Sequence, residues 1–303
     1  MLRGGELGIV RCVRSDFFRF QIISMKLNPY LQVIIATILF STNGVFVKIL
    51  DLPATSTIFF RSAIPVILIF IYLKLKKEKI FDIDHKVLIF FTSFIIAIKT
   101  ILFLFGVVLI PLSTAIVVTY TWPFFTAIFG FLILQEEIYK RNIYLLFIAF
   151  LGVVLIFLNQ EISLGNSEFI GLLCMIGAAI LHALAIVILK KESDNNSRSK
   201  MIFYQNFLGA LMFLPFIFIN QPYPSIAQFS LGVLYGALVG VVGYFFFFAA
   251  LKKIKASLVA HFAYSEVLWV VLLGIIFFKE VLTWNIILGG ILIIISAIFL
   301  KRE

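Results

Sequence analysis

The chain has 303 residues, of which 62% are hydrophobic and only 13% are charged, and its mean hydropathy is +1.13. A protein with so few charged residues cannot cover itself with a polar surface, so this composition excludes an ordinary soluble globular protein. The net charge of +10 does not indicate nucleic-acid binding, because the basic residues lie in short loops between apolar segments.

Ten apolar segments account for most of the chain. A helix that spans the hydrocarbon core of a bilayer needs about 20 mainly apolar residues. Such segments occur near residues 30–50, 56–73, 87–109, 112–134, 143–159, 168–189, 201–219, 228–250, 256–278 and 283–300. The links between them are short. The sequence therefore predicts an all-α integral membrane protein with ten transmembrane helices.

The first residues form a polar tail. Residues 1–28 contain several arginines and precede the first apolar segment, so we expect a cytoplasmic N-terminal tail. Met25 has the form of a second translation start, which leaves two alternatives: either residues 1–24 are translated or the protein begins at Met25. The first apolar segment is long enough to span the membrane and lacks a small-residue cleavage site, so no cleavable signal peptide is expected.

Lysine and arginine collect in alternate loops. The basic group comprises Lys26, the segment 74–86, Lys140 with Arg141, the segments 190–200 and 252–255, and Lys301 with Arg302. The loops between them have little beyond Lys48 and Lys279 at helix ends. Because positively charged loops stay on the cytoplasmic side, we expect both termini in the cytoplasm and a multi-pass protein of the cytoplasmic (inner) membrane.

Residues 100–156 and 244–300 have similar sequences when one segment is shifted by 144 positions. The matching marks are Ser113, Tyr120-Thr121-Trp122-Pro123 and Glu136 in the first part, and Ser257, Tyr264-Ser265-Glu266-Val267 and Glu280 in the second. Five helices per half is an odd number, so the halves must cross the bilayer in opposite senses. We therefore predict two inverted five-helix repeats, residues 29–160 and 161–303.

Two ionisable residues lie deep within apolar segments: Lys99 is midway along the third and Glu266 midway along the ninth. Each costs about 2.5–3.5 kcal/mol when it is unpaired at the centre of a spanning helix. Lys99 recurs with Thr92 and Gly106 at seven-residue spacing, which indicates a face directed to the bundle interior. One interpretation is that Lys99 and Glu266 bind the carboxylate and the amine of a zwitterion. The alternative is a structural ion pair.

Two histidines are candidates for proton coupling, together with Glu266. His182 lies in the sixth apolar segment and His261 in the ninth, and a histidine can change its charge near neutral pH. His261 and Glu266 are separated by about 140° around a helix, so a direct relay between them is not expected. For each histidine the alternative is a hydrogen-bonded packing residue.

Other polar and aromatic residues within the helices are candidates for solute contact, namely Asn43, Tyr120, Trp122 and Tyr264. Their rings could stack on a flat solute, and the alternative is that they form part of the bundle core. Pro123 removes a backbone donor and is predicted to bend the fourth helix. A bend in mid-membrane can open a cavity.

Several residues are interpreted as structural. Arg61, little more than one turn inside the second helix, is expected to extend its side chain to the membrane interface. Glu136 and Glu280 are expected to order loops at helix ends. The small residues Gly232, Gly236, Gly240 and Gly243 repeat on one face of the eighth helix and predict close helix packing.

Signals for an enzyme do not occur in the sequence. We find no metal-site spacing, no nucleophile elbow and no phosphate-binding glycine loop, so no catalytic residue, metal or cofactor is expected. The two cysteines, Cys12 and Cys174, are not expected to form a disulfide.

The duplicated segment resembles the EamA-type transporters of the drug/metabolite transporter superfamily, over about residues 30–300. The residues that carry the resemblance are Tyr120-Thr121-Trp122-Pro123 and Glu136 in the first copy, and Tyr264-Ser265-Glu266 and Glu280 in the second. Val267 stands where the family usually has proline, and Phe40-Ser41-Thr42-Asn43-Gly44 departs from the usual tryptophan-glycine start. The resemblance implies a secondary transporter whose central cavity, lined by helices 1, 3, 4, 6, 8 and 9, opens alternately to either side.

Members of that superfamily move amino acids, amines, other small metabolites or drugs, often outward. We therefore expect an exporter of a small organic metabolite, an amino acid or related zwitterion, working by alternating access. The alternatives are a drug or amphiphile exporter of the same fold and a membrane ligand sensor or scaffold that does not transport. The expected partners are the solute, the lipid bilayer and, as an alternative to a monomer, a second copy in a homodimer.

Overall fold

A computed structural model describes residues 27–80, 82–110, 112–137, 139–156, 166–221, 223–279 and 281–299. Within these ranges all regular secondary structure is helical. Residues 1–26, which include the alternative start at Met25, and Glu280 lie outside the described residues.

The helices follow one another with short links. In chain order they are α1 (Pro29–Leu50), α2 (Ala54–Leu75), α3 (Lys86–Leu109), α4 (Leu112–Thr119), α5 (Trp122–Leu134), α6 (Lys140–Ile156), α7 (Asn166–Glu192), α8 (Arg198–Phe213), α9 (Phe216–Ile219), α10 (Ile226–Tyr235), a π-helical segment π1 (Gly236–Gly243), α11 (Tyr244–Leu251), α12 (Ala256–Ala263), α13 (Ser265–Phe278) and α14 (Trp284–Phe299).

Eight helical stretches in the described ranges are long and apolar enough to cross a membrane. They are Pro29–Leu50, Ala54–Leu75, Lys86–Leu109, Thr114–Leu134, Ser167–Glu192, Arg198–Ile219, Ile226–Leu251 and Ala256–Phe278. Helix α14 is apolar but shorter. The predicted all-helical, multi-pass membrane protein is confirmed.

Local sequence signals fix where several helices begin. The side chain of Asn28 accepts a hydrogen bond from the backbone N–H of Tyr30 and caps α1, with Pro29 at the first helical position. At α10, Ser225 and Gln228 form a reciprocal capping box. These caps supply partners to N–H groups that the first turn of a helix cannot satisfy internally.

Two long apolar stretches are interrupted near their middle. The first stops at Thr119 and resumes at Trp122, directly before Pro123, so the helix is interrupted at the place where a bend is predicted. The second stops at Ala263 and resumes at Ser265, although Val267 stands at the position that corresponds to Pro123. At the second break the N–H of Tyr264 bonds the carbonyl three residues back, 3.2 Å away, so a tightened turn replaces proline there.

The glycine-rich face of α10 and π1 packs against α2. A side chain at Gly232 or Gly236 would collide with Phe60 or Ile64 of α2, and one at Gly240 would lie 2.8 Å from the carbonyl oxygen of Arg61. The prediction that these glycines allow close packing is confirmed.

The basic loops lie together at one end of the bundle. Three lysines of these loops donate to backbone carbonyls of other loops: Lys200 to Asp82, Lys253 to Leu27 at 3.3 Å and Lys255 to Glu137 at 3.1 Å. A fourth contact joins His85 Nδ1 to the Glu192 carboxylate oxygen Oε2 at 3.0 Å. We call this end the basic face.

Loops at the other end are joined separately. Gln228 donates to the carbonyl of Leu50 at 2.9 Å, and Asn220 donates to the hydroxyls of Thr55 and Ser56 at 2.8 and 2.9 Å. The lysine-rich and lysine-poor loops predicted from the sequence therefore separate between the two ends of the structure.

Candidate functional site

Lys99 lies on the interior side of α3. The opposite side of this helix exposes large apolar side chains, including Phe94, Phe105 and Val108, whereas Thr92, in line with Lys99, is only 1% exposed. Lys99 itself is half-buried, and its Nζ lies 5.8 Å from the centre of the Phe103 ring. An ammonium on the inner side of a spanning helix faces other helices rather than lipid.

Glu266 lies in the first turn of α13, directly after the break at Tyr264. A carboxylate is favoured there by the positive end of the helix dipole. Glu266 is half-buried and interacts electrostatically with Lys99. Among the described residues neither side chain has an ion-pair partner within 4.0 Å or a hydrogen-bond partner. The two opposite charges are close enough to interact but are not in contact.

Arg61 also lies inside the bundle, and the expectation that it reaches the membrane interface is wrong. It is half-buried, and its Nη1 is 3.5 Å from the hydroxyl oxygen of Tyr244, which begins α11. Arg61 also interacts electrostatically with Lys99 and Tyr235. Gly240 leaves room for the α2 backbone at Arg61 itself, so close helix packing holds the guanidinium inside.

His182 and Trp122 are in direct contact. Their rings meet edge to face with centroids 4.9 Å apart, which joins α7 to the start of α5. Trp122 is only 6% exposed, whereas His182 is half-buried and interacts electrostatically with Lys99 and Arg61. The imidazole therefore packs on an aromatic ring and is close enough to two cationic side chains to interact with them.

Tyr120 and Tyr264 occupy the two helix breaks and stack on each other. Their ring centroids are 6.0 Å apart, and the hydroxyl of Tyr264 donates to the backbone carbonyl of Tyr120 at 3.0 Å. Tyr264 is 1% exposed, whereas Tyr120 is half-buried and interacts electrostatically with Glu266. The pair therefore joins the two helix breaks close to Glu266.

Asn43 reaches the same network from α1. Its Oδ1 accepts a hydrogen bond of 2.8 Å from the hydroxyl of Tyr235, which in turn interacts electrostatically with Arg61. The structure thus connects all the residues predicted to contact solute, namely Asn43, Lys99, Tyr120, Trp122, His182, Tyr264 and Glu266. It adds Arg61, Tyr235 and Tyr244. We call Arg61, Lys99, His182 and Glu266 the central charged group.

His261 stands apart from the central charged group. It is 3% exposed, its Nε2 is 3.3 Å from Ser296 Oγ of α14, and it meets Tyr264 only by a ring edge. No interaction among the described residues joins it to Lys99, Glu266 or His182. Its predicted part in proton coupling stays a prediction.

Glu136 contacts the first residues of α12, which its position in the sequence does not predict. The side chain is 8% exposed and accepts hydrogen bonds from the N–H of Ala256 at 2.7 Å and from the N–H and hydroxyl of Ser257 at 3.2 and 2.9 Å. Glu136 therefore caps α12, which follows it by 120 positions. The prediction that it orders a loop is confirmed, but the loop belongs to the other half of the chain.

The central charged group brings together two cationic side chains, one carboxylate and one imidazole, all half-buried, from α2, α3, α7 and α13. Such a set can bind anionic and cationic groups of one small solute. No cluster of three or more metal-binding side chains occurs among the residues that the structure describes.

A family model matches the chain twice. The model of the EamA-like transporter family covers residues 27–158 and again residues 169–302. The chain belongs to the EamA-like transporter family. It is therefore a membrane transporter built from two copies of one unit, and the resemblance found in the sequence is confirmed.

Relatives of this EamA-like transporter move different solutes. The chain is 26% identical to the pseudopaline exporter CntI of Pseudomonas aeruginosa strain UCBPP-PA14, covering 93% of this chain and 98% of that protein. It is 29% identical to an S-adenosylmethionine uptake transporter of Rickettsia prowazekii, covering 65% of each chain. It is also 29% identical to solute carrier family 35 member G1 of Mus musculus, covering 61% of this chain and 53% of the other.

The fold also matches a solved structure. The transporter superimposes with a TM-score of 0.77 at 14% sequence identity on a chain described as "Crystal structure of protein", covering 89% of this chain and 94% of that one. At this identity the match supports the helical arrangement alone.

Proposed function

We propose that this EamA-like transporter carries a small organic zwitterion, an amino acid or a related metabolite, by alternating access. The observation that carries the proposal is the separation of Lys99 and Glu266: the two charges interact electrostatically, yet neither has an ion-pair partner among the described residues. A structural pair gains most when its charges touch. Two charges held apart in a partly accessible space suit the ammonium and carboxylate of a solute placed between them.

Each half of the zwitterion has a distinct partner in this proposal. The carboxylate binds on the side of Lys99 and Arg61, and the ammonium binds Glu266 at the start of α13. The uncharged part of the zwitterion is surrounded by four further side chains, which contact it directly or position a neighbouring residue that does: Asn43, Tyr120, Trp122 and Tyr264. Glu266 and His182 are the proposed proton-coupling residues of the central charged group, and His261 remains a third candidate outside it.

The proposed architecture is ten transmembrane helices in two inverted repeats, residues 29–160 and 161–303. Three observations support it: the family model matches twice, Tyr120 and Tyr264 at equivalent positions stack on each other, and the helix contacts repeat. In one pair of equivalent contacts, α3 of the first half contacts α7 of the second half, and π1 and α11 of the second half contact α1 of the first half. In the other pair, α5 of the first half contacts α7, and α13 of the second half contacts α1. Contacts that recur when the halves are exchanged are expected for a two-fold relation in the membrane plane.

The proposed orientation places the basic face in the cytoplasm of the cell, with the protein in the inner membrane and both termini inside. The lysine-rich loops that share this face support it. Export is the proposed direction, since the relative that spans 93% of this chain is named an exporter. The match to the uptake transporter covers a smaller share of this chain, 65%.

The first test is a thermal-shift screen of the purified protein against amino acids, polyamines, carboxylates, nucleosides and cationic drugs. A ligand at 100 times its dissociation constant adds about 2.7 kcal/mol to the free energy of unfolding. We expect a shift with a few zwitterions that disappears in Lys99→Ala. Shifts confined to bulky apolar cations, and kept in Lys99→Ala, would favour the drug exporter instead.

Counterflow in liposomes separates a carrier from a ligand sensor. Loading the liposomes with the solute found in the screen should accelerate uptake of labelled solute by the wild-type protein, and Lys99→Ala and Glu266→Gln should abolish this exchange. Lys77→Gln removes one charge from an exposed position of the basic face and serves as a control with normal exchange. Binding without any counterflow would indicate a sensor or scaffold.

A further inference from the structure

A second charged cavity lies at the basic face, away from the central charged group. Its volume is about 370 Å³, and its charged lining comprises Lys190, Lys191, Lys253, Lys255, Asp194 and Glu136. The apolar side chains of Leu134, Ile254 and Leu258 complete it. Pockets of about 300–1,000 Å³ are typical of sites for small molecules. We call this cavity the basic pocket.

The basic pocket carries a net positive charge. Four ammonium groups face two carboxylates, and one of those carboxylates, Glu136, is turned to the first N–H groups of α12. Lys190 and Lys255 donate to the backbone carbonyls of Lys252 and Glu137. A carbonyl orients an ammonium without cancelling its charge, so the pocket favours an anion.

The basic pocket lies between helices that also carry the central charged group. Its walls come from the end of α5, the end of α7 and the start of α12, and these three helices contact one another. Along α7, Lys190 is eight residues from His182, or about 12 Å. Along the ninth predicted helix, Leu258 is likewise eight residues from Glu266.

We propose that the basic pocket is a second solute-binding site, which holds the carboxylate group of a small water-soluble solute at the basic face before or after that solute binds the central charged group. This role as an entrance rests on the proposed transport function; the anion site itself does not. A lipid headgroup is the other source of an anionic oxygen. The ends of three mutually packed helices line the pocket, so a lipid bound there would have to extend its acyl chains past these helices to reach the bilayer.

The test measures how fast individual lysines are acetylated, with citrate as the probe anion. The whole protein in phosphatidylcholine nanodiscs is treated with an amine-reactive acetylating agent, and modified peptides are quantified by mass spectrometry. At a citrate concentration about twice its dissociation constant, two-thirds occupancy slows the acetylation of Lys191 and Lys253 about threefold. The exposed Lys77 and Lys79 on the same face should react at unchanged rates, with sodium chloride at equal ionic strength as the reference.

Matched variants make the result specific. Lys190→Gln with Lys191→Gln should remove the citrate protection of Lys253, whereas Lys77→Gln with Lys79→Gln should keep it. Protection should persist in Lys99→Ala, so failure of the central-site proposal would leave this result standing. Equal slowing at Lys77 would mean ionic screening only. Protection lost in Lys99→Ala, or obtained only with phosphatidylglycerol in the nanodiscs and not with citrate, would overturn the proposal.

Discussion

At the residue scale, Glu136 has the most direct consequence for stability. Replacing it with alanine leaves two N–H groups of α12 without their acceptor, one of them buried, and should lower the free energy of unfolding by about 2–3 kcal/mol. Glu136→Gln keeps one acceptor oxygen and should lose about half as much. The measurement is chemical unfolding in detergent, with the neighbouring exposed Glu137→Ala as control. Equal stability of Glu136→Ala and Glu137→Ala would contradict the cap.

Exchanging the charges of the central pair separates binding from packing. Lys99→Gln or Glu266→Gln alone leaves the other charge in the bilayer core without its opposite, at a cost of about 2.5–3.5 kcal/mol. The double change Lys99→Glu with Glu266→Lys restores opposite charges, so its unfolding free energy should return to within about 1 kcal/mol of the wild type. Transport should stay absent, because Arg61 would now face a glutamate. Normal transport by the exchanged protein would make the pair structural.

Some residues of the site could be predicted from the sequence because the sequence shows a charged side chain inside an apolar segment, which carries a large free-energy cost in the membrane. Lys99 and Glu266 stand alone in apolar segments, and only an interior position makes such a charge tolerable. Arg61 escaped prediction because its position near a helix end also allows the side chain to reach the interface. Its true location depends on Gly240, on another helix, which lets α2 pack closely at this point.

At the element scale, the glycine face of π1 should tolerate no side chain at Gly240. A Cβ there would collide with Pro65 and lie 2.8 Å from the Arg61 carbonyl, so α2 would have to move. Gly240→Ala should cost about 1–3 kcal/mol of stability and should reduce transport by displacing Arg61. Gly44→Ala is the matched control, since nothing lies within 4 Å of its added Cβ, and better helix propensity should stabilise it slightly. The same effect from both changes would rule out the packing argument.

The break at Tyr264 predicts where a proline is acceptable. Position 267 is in the first turn of α13, where an N–H has no partner within the regular helix, and Val267 N–H bonds the Tyr264 carbonyl at 3.1 Å. Val267→Pro should therefore cost clearly less than Val271→Pro, one turn further on, which should cost about 3 kcal/mol or more. Thermal unfolding of the two variants decides this, and equal losses would argue for an unbroken helix.

The two helix breaks also mark the limit of sequence-based prediction at this scale. Pro123 predicts the first break because proline removes a hydrogen bond of the helix. The second has no such residue, and it follows from the stacking of Tyr264 on Tyr120 and from its hydroxyl contact with that residue's carbonyl. Contacts between segments 144 positions apart are invisible to local patterns. Glu136 and Ser257 illustrate the same limit.

At the scale of the whole molecule, the orientation can be tested with single cysteines. In a background with Cys12→Ser and Cys174→Ser, a cysteine at exposed Tyr223, at the end opposite the basic face, should react with a membrane-impermeant maleimide in intact cells. A cysteine at exposed Asn195, on the basic face, should react only after permeabilisation. The reverse pattern would invert the proposed topology.

The contact between Tyr264 and Tyr120 bears on the energetics of the transport cycle. Two identical inverted halves would give inward-open and outward-open states of equal free energy, because exchanging the halves converts one state into the other. The hydroxyl of Tyr264 bonds the Tyr120 carbonyl, and among the described residues no bond runs in the opposite sense. An interaction worth about 1 kcal/mol in one state shifts the resting populations about fivefold. Under the proposed alternating access, this bond favours one of the two states, and Tyr264→Phe should bring them closer to equal occupancy.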